Sequence, residues 1–368
     1  MIRASRLTVL LTATTFCLAS GNGFAQMALP SAQPAPVQPP KAAPRPKAPP
    51  KASPKAAPKT TPKAAPKTAP KASAQPAAAN TVTLPPESDD PNVDLAYGAF
   101  QEGRYKTALA LAIRRATEKG DPKSMTLIGE IYSNGFGVKR DEPLAASWYK
   151  KAADRGDREA IFALGMMYIS GRSGTVDRNE GAKLLAAAAK LGKPEAAYNL
   201  GLLYLEGQVF PQDIKRAAEL FRQAADKGNP EAQYALATFY KEGRGVEKNP
   251  VEAAKLLGAA ALADNLDAEV EYAIALFNGT GVNRDERTAV ALLNRAARQG
   301  SPIAQNRLAH VLIEGKAAPQ NKVEGFKWHL IAKTAGAGDP DLDAQMAQLP
   351  AGDRAKAEAA AKKWFGIK

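Results

Sequence analysis

The chain has 368 residues, of which 45% are hydrophobic and 24% charged, with a formal net charge of +13, one cysteine and two histidines. The charge is unevenly placed: no acidic residue precedes Glu87, and the eleven basic residues ahead of it, taken from 50, leave 39 against 37 acidic ones. A basic nucleic-acid-reading domain is therefore excluded, and a single cysteine excludes a disulfide framework or a thiolate metal site.

Residues 1–25 carry Arg3 and Arg6, an apolar run from Leu7 to Leu18, and Gly23 and Ala25 at the two positions a signal peptidase reads. This pattern predicts an export signal cleaved before Gln26. The run is shorter than the roughly 20 residues that span a bilayer, so the chain does not read as an integral membrane protein. Cys17 follows Thr-Thr-Phe and lacks the small residue that a lipidation signal places before its cysteine. Residues 26–90 form a Pro/Ala/Lys-rich linker, with lysine every fourth residue from Lys47 to Lys71. Such a segment cannot bury enough apolar surface to offset its ordering entropy, and its prolines favour extended polyproline II. Its charge suits a solubilising spacer, or a contact with peptidoglycan or anionic lipid. The expected location is the periplasm of a Gram-negative bacterium, or the medium.

Beyond the linker the sequence repeats. "NGFGVKRD" at 134–141 returns as "EGRGVEKN" at 242–249 and "NGTGVNRD" at 278–285, and a step of 36 from Pro122 gives six units starting at Pro122, Arg158, Pro194, Pro230, Leu266 and Pro302. Gly135, Gly171, Gly207, Gly243, Gly279 and Gly315 fall at one position, and Asp141, Asp177, Asp213, Asn249, Asp285 and Asn321 at another. Unit starts such as Asp121-Pro122 and Asn229-Pro230 read as an N-cap and first residue of a helix A. The glycine series then supplies a left-handed residue that ends helix A, and the Asp/Asn series caps a helix B.

Along helix A, Ile128, Leu164, Leu200, Leu236 and Leu308 share a face with Tyr132, Tyr168, Tyr204 and Tyr240, and these are expected to form the buried stripe. Gly129, Gly165, Gly201, Ala237, Ala273 and Ala309 are always small, so a neighbouring helix can approach closely. Helix B is expected to bury Trp148, Leu184, Leu220, Leu256, Leu292 and Trp328, and to end at Gly156, Gly192, Gly228, Gly300 and Gly336, with Asp264 as the exception.

The motif A-x-x-x-L-G-x-x-Y-x-x-G-x-G-V-x-x-D, followed by A-x-x-W-Y-x-K-A-A-x-x-G, resembles the Sel-1-like repeat, a relative of the tetratricopeptide repeat. The resemblance covers 122–339. Residues 91–121 resemble a tetratricopeptide-like hairpin, and 340–368 read as C-terminal capping helices. Two loops depart from the motif, at 208–212 and 316–320. The resemblance implies an all-α fold, a right-handed α-solenoid of helix-turn-helix repeats, acting as a protein–protein interaction adaptor or envelope regulator. Some relatives staple their hairpins with cysteine pairs, and this chain has none.

In such superhelices the concave wall is made by the outward faces of the A helices. That places Glu159, Phe162, Met166, Glu195, Tyr198, Leu202, Glu231 and Tyr234 on the partner-binding face, joined by Val270 and Ile274, with Asp267 completing an acidic row. An aromatic and aliphatic stripe edged by one sign of charge suits an extended or helical segment with apolar anchors and basic flanks.

No catalytic residue, metal site or cofactor is expected. Ser147 and Lys150 match S-x-x-K, but one unit of six carries the pair, and the third has Glu219 and Arg222 there. His310 and Glu314 are four apart, without an evident third ligand, and His310 is expected to be solvated. Two other functional readings stay open: a cell-wall-associated structural protein that uses the cationic linker, and a penicillin-recognising type of enzyme.

Overall fold

The computed structural model describes residues 94–366, and the predicted export signal and the whole of the linker at 26–90 lie outside them. Among the described residues there are sixteen α-helices and no strand. α1 (Leu95–Gln101) and α2 (Tyr105–Glu118) form a first hairpin. Six longer hairpins follow: α3 (Pro122–Asn134) with α4 (Glu142–Ala153), α5 (Arg158–Ser170) with α6 (Arg178–Lys190), and α7 (Pro194–Glu206) with α8 (Ile214–Ala225). The series continues with α9 (Pro230–Glu242) and α10 (Pro250–Leu262), α11 (Leu266–Asn278) and α12 (Glu286–Arg298), and α13 (Pro302–Glu314) and α14 (Lys322–Thr334). α15 (Pro340–Ala347) and α16 (Ala351–Trp364) close the chain. Each helix packs on the one before and the one after it, except that α16 returns to α14. This is an α-solenoid, in which every unit buries its apolar face against its neighbours.

The A helices start where the repeat frame places them, and the six glycines that end them all have φ between 70° and 75°. Each B helix is capped by the expected Asp or Asn side chain, as in Asp141 to the Leu144 N–H at 2.9 Å and Asn321 to the Glu324 N–H at 3.0 Å. At the end of α10, Asp264 adopts φ 61° in place of a glycine.

Tight A–B contacts explain the small residues of helix A. A Cβ added to Gly129 would lie 2.7 Å from the Tyr149 ring, and one added to Gly201 would lie 2.7 Å from the Phe221 ring. The fourth and fifth units pair an alanine with the smaller Leu257 and Leu293, whereas in the second Gly165 lies against Leu184, Leu185 and the Gly181 carbonyl. A second pairing repeats the logic: a Cβ added to Gly181 or Gly325 would lie 2.6 Å from Ile169 or Ile313, and the other units have alanine at that position.

Two burial expectations need correction. The deepest row of helix B lies one residue later than the row of Trp148, Leu184, Leu256 and Leu292, which are half-buried. The buried row is Tyr149, Leu185, Phe221, Leu257, Leu293 and His329, joined by Leu220 and Trp328 from the expected row. Likewise Tyr132, Tyr168, Tyr204 and Tyr240 are half-buried, whereas the residues before them, Ile131, Met167, Leu203 and Phe239, are buried. Tyrosine keeps its hydroxyl near the surface, where it finds partners.

His310 is also corrected. It is 8% exposed, with Nε2 2.8 Å from Asp339 and Nδ1 3.6 Å from Glu314. His329 is fully buried, and its Nε2 lies 2.8 Å from Asp343, which also binds Lys333 at 2.8 Å. Both histidines therefore tie α15 to the last repeat. The carboxylates around His310 sit on opposite ring nitrogens, so they do not converge on one ion. Among the described residues no cluster could hold a metal, and no helix is long and apolar enough to cross a membrane.

The two departing loops share a device. Gln212 and Gln320 donate to the Leu205 and Ile313 carbonyls, each at 2.8 Å. In the third loop Phe210 stacks on Tyr204 with ring centroids 4.7 Å apart. In the sixth, Ala317 holds φ 64° where the first, fourth and fifth units have a second glycine, Gly137, Gly245 and Gly281.

Gly207→Val is expected to destabilise by more than about 1 kcal/mol, because its φ of 71° is strained for any β-branched residue. Ala317→Gly should stabilise by up to about 1 kcal/mol for the converse reason. Urea unfolding measures both. The C-terminal pair should also be acid-sensitive. Burial alone would raise the Asp339 pKa, but hydrogen bonds from His310 and from the Leu342 and Asp341 N–H groups outweigh it and hold the pKa below the ordinary value. Lys333 first, then His329, lower that of Asp343. Their contribution is present above the unfolded value of about 3.9 and is lost as pH falls through the depressed folded values. Fluorescence of Trp328 and Trp364, whose rings are 5.1 Å apart, should report that loss, and Asp343→Asn should remove its share.

Candidate partner-binding face

Helix A offers two kinds of position to a partner: residues on its exposed side, and residues that reach across to the next A helix. Phe162, Met166, Tyr198, Leu202 and Tyr234 are all half-buried. The first four rest on the core that joins the second, third and fourth units, and Tyr198 leans on Phe221 with centroids 5.6 Å apart. Tyr234 and Tyr272 rest on the next cluster along. These side chains thus have one side in the core and one side outside it. Ile274 is half-buried too, whereas Val270, expected beside them, is 3% exposed and belongs to the core.

The acidic row is interrupted. Glu159 and Glu195 are half-buried and share Lys193, at 2.5 Å and 3.2 Å, and the ammonium also lies 5.5 Å from the centre of the Phe162 ring. Burial works against the charge of Lys193, but its bonds to Glu159 and Glu195 outweigh that and raise its pKa. Glu231 and Asp267 are exposed. Around them Glu271 is paired with Lys241 at 3.0 Å, and Glu242 with Arg244 at 3.6 Å. Burial raises the Tyr198 pKa, with a contribution from Glu231. Burial together with Glu271, Asp267 and Glu242 pushes that of Tyr234 up to about 12. The negative field is therefore concentrated on the fourth and fifth units.

Lys193 is legible in the sequence as a break in a series. Five unit starts are preceded by Asp121, Asp157, Asn229, Asn265 and Ser301, each of which caps its helix; Lys193 occupies the sixth such place and makes no cap bond. Ser147 and Lys150 do not meet: Ser147 donates to the Leu144 carbonyl at 2.7 Å, and Lys150 pairs with Asp154 at 3.2 Å.

The Sel1 repeat family matches residues 122–157, 158–193, 194–229, 230–265, 266–301 and 302–336, more than half of the chain. A similar solved structure is c5321, a protective antigen present in uropathogenic Escherichia coli strains displaying an SLR fold, at 30% identity and a TM-score of 0.64. That match covers 74% of this chain and 59% of the other, so this chain spans less than two thirds of that protein's length. A Sel1 repeat protein from Oxalobacter formigenes is 29% identical with a TM-score of 0.58, over 65% of this chain and 98% of the other. No curated protein matches the chain.

Lys193→Asn should trade two ion pairs for a cap bond to the Ala196 N–H. A cap is worth about 1 kcal/mol, and the loss of these two half-buried ion pairs offsets it. The variant is expected to match the parent at low salt and to exceed it by up to about 1 kcal/mol at high salt, where the ion pairs are screened; urea unfolding at two ionic strengths checks this.

Proposed function

The chain belongs to the Sel1-repeat family, and from that membership we propose that it is an exported adaptor or regulator of a cell-envelope process, holding a partner segment along its A helices. Solenoids of this family generally serve protein–protein interaction. The observation that carries the reading is the stripe of Phe162, Met166, Tyr198, Leu202 and Tyr234, half-exposed along three consecutive units beside Glu159, Glu195 and Glu231. Large aromatic and aliphatic groups with one face free are the usual anchors of a binding surface, and the carboxylates beside them favour a segment with basic flanks. Because Lys193 bridges the first two carboxylates and Arg158 also pairs with Glu159 at 3.2 Å, the basic flank belongs at Glu231 and Asp267.

Export rests on the sequence of residues 1–25, and the linker at 26–90 lets the solenoid work at a distance from whatever the linker touches. The lysine series favours one further reading, a cell-wall contact through the linker. Sedimentation with isolated peptidoglycan, with and without residues 26–86, separates that contact from the adaptor role.

The adaptor reading is tested by crosslinking a partner from the envelope and then changing Tyr198→Ala together with Tyr234→Ala. Capture should fall at least tenfold while the melting transition remains cooperative. Undiminished capture by a folded variant would move the partner off this face.

A further inference from the structure

One junction departs from the rest of the repeat. On α8, Lys215, Ala218, Glu219 and Arg222 follow the i, i+3, i+4, i+7 spacing of one helix face, and they meet the loop at 243–249 of the next unit across an open cavity of about 550 Å³. That volume lies within the range of small-molecule sites. At the Arg222 position the other B helices carry Lys150, Ala186, Gly258, Asn294 and Leu330. Here a guanidinium reaches a tyrosine of the following unit: Arg222 donates to the Tyr240 hydroxyl at 2.8 Å. What six units share is required by the fold, whereas a combination present at one junction is not.

The charges of this cavity are unbalanced. Among the described residues, Lys215 and Lys248 have no ion-pair partner, and Glu219 is engaged by Arg216 at 2.6 Å. Glu247 is then the one unpaired carboxylate in the lining, against three cations. Tyr240 fixes Arg222 through one N–H, which leaves the other donors of the planar fork for a ligand. That fork matches a carboxylate in two parallel hydrogen bonds, and the two ammoniums add charge without direction. The Tyr240 ring, Ala218 and Val246 supply apolar wall, and Glu247 is placed to accept from hydroxyl groups.

We propose that this cavity binds a hydroxylated carboxylic acid the size of one sugar acid, with its carboxylate on Arg222 and its ring against Tyr240. This site is separate from the protein-binding face and does not rest on it.

The test is an NMR titration of the full chain with glucuronate, glucose, gluconate and inorganic phosphate as probes. Glucuronate should shift the amides of residues 243–249 saturably, glucose should not, and phosphate should bind at least tenfold more weakly. Gluconate has the carboxylate and hydroxyls but no ring, and should fall between glucuronate and glucose. Arg222→Gln should weaken glucuronate at least tenfold with an unchanged melting curve, and Arg222→Lys should lie between it and the parent. Absence of a saturable shift would overturn the proposal, as would equal binding of phosphate and glucuronate, or undiminished binding by Arg222→Gln. Tighter binding of an oligo-aspartate peptide at these amides would also overturn it, by identifying an acidic protein segment as the ligand.

Discussion

The distance between helix A and helix B of one unit is set by a contact with no room in it. Where helix B brings an aromatic ring inward, at Tyr149 or Phe221, helix A must have no side chain at all, and Gly129 and Gly201 stand there. Where it brings Leu257 or Leu293, an alanine fits. Close packing makes even one methyl matter in such an interior. Because the residue frame repeats six times, each unit presents the same faces to the next. The glycine that ends helix A and the Asp or Asn that caps helix B keep the connection the same length, and the rows of exposed residues then stay aligned along the solenoid.

That regularity is why so much of the fold could be read from the sequence. Unit starts, helix ends and caps depend on backbone conformation and on local hydrogen bonds, and these demand particular residue types at fixed spacing. The depth of burial was less legible. Trp148 and Tyr149 are neighbours on one helix, about 100° apart around its axis, and both fall within an apolar stripe of that width; which one goes deeper is decided by the approach of helix A. The pairs that hold α15 were invisible for a different reason. His310 meets Asp339 and His329 meets Asp343 across tertiary distance, with no repeat to announce them. Lys193 was readable, but as a missing cap, and its role in joining Glu159 to Glu195 appears only when neighbouring units are placed side by side.

The same regularity separates fold from function in this molecule. Positions that recur in all six units are explained by packing and capping. The Lys193 bridge, the acidity left around Tyr234, and the Arg222–Tyr240 contact beside an open cavity each occur once. They divide the solenoid into an early part whose acidic edge is neutralised and a middle part that keeps its charge.

The central claim is that a small residue on helix A and a large one on helix B are matched, not independently chosen. A double-mutant cycle on Gly201→Ala and Phe221→Leu measures this directly, since it rebuilds in the third unit the alanine–leucine pair of the fourth. Gly201→Ala alone gains up to about 1 kcal/mol of helix propensity but incurs overpacking against the ring of about 1–3 kcal/mol. In the double variant the overpacking should disappear, so the two changes together should be less destabilising than their sum by at least about 1 kcal/mol. Additivity within about 0.5 kcal/mol would contradict the account, because it would mean that the spacing of the hairpin is set elsewhere.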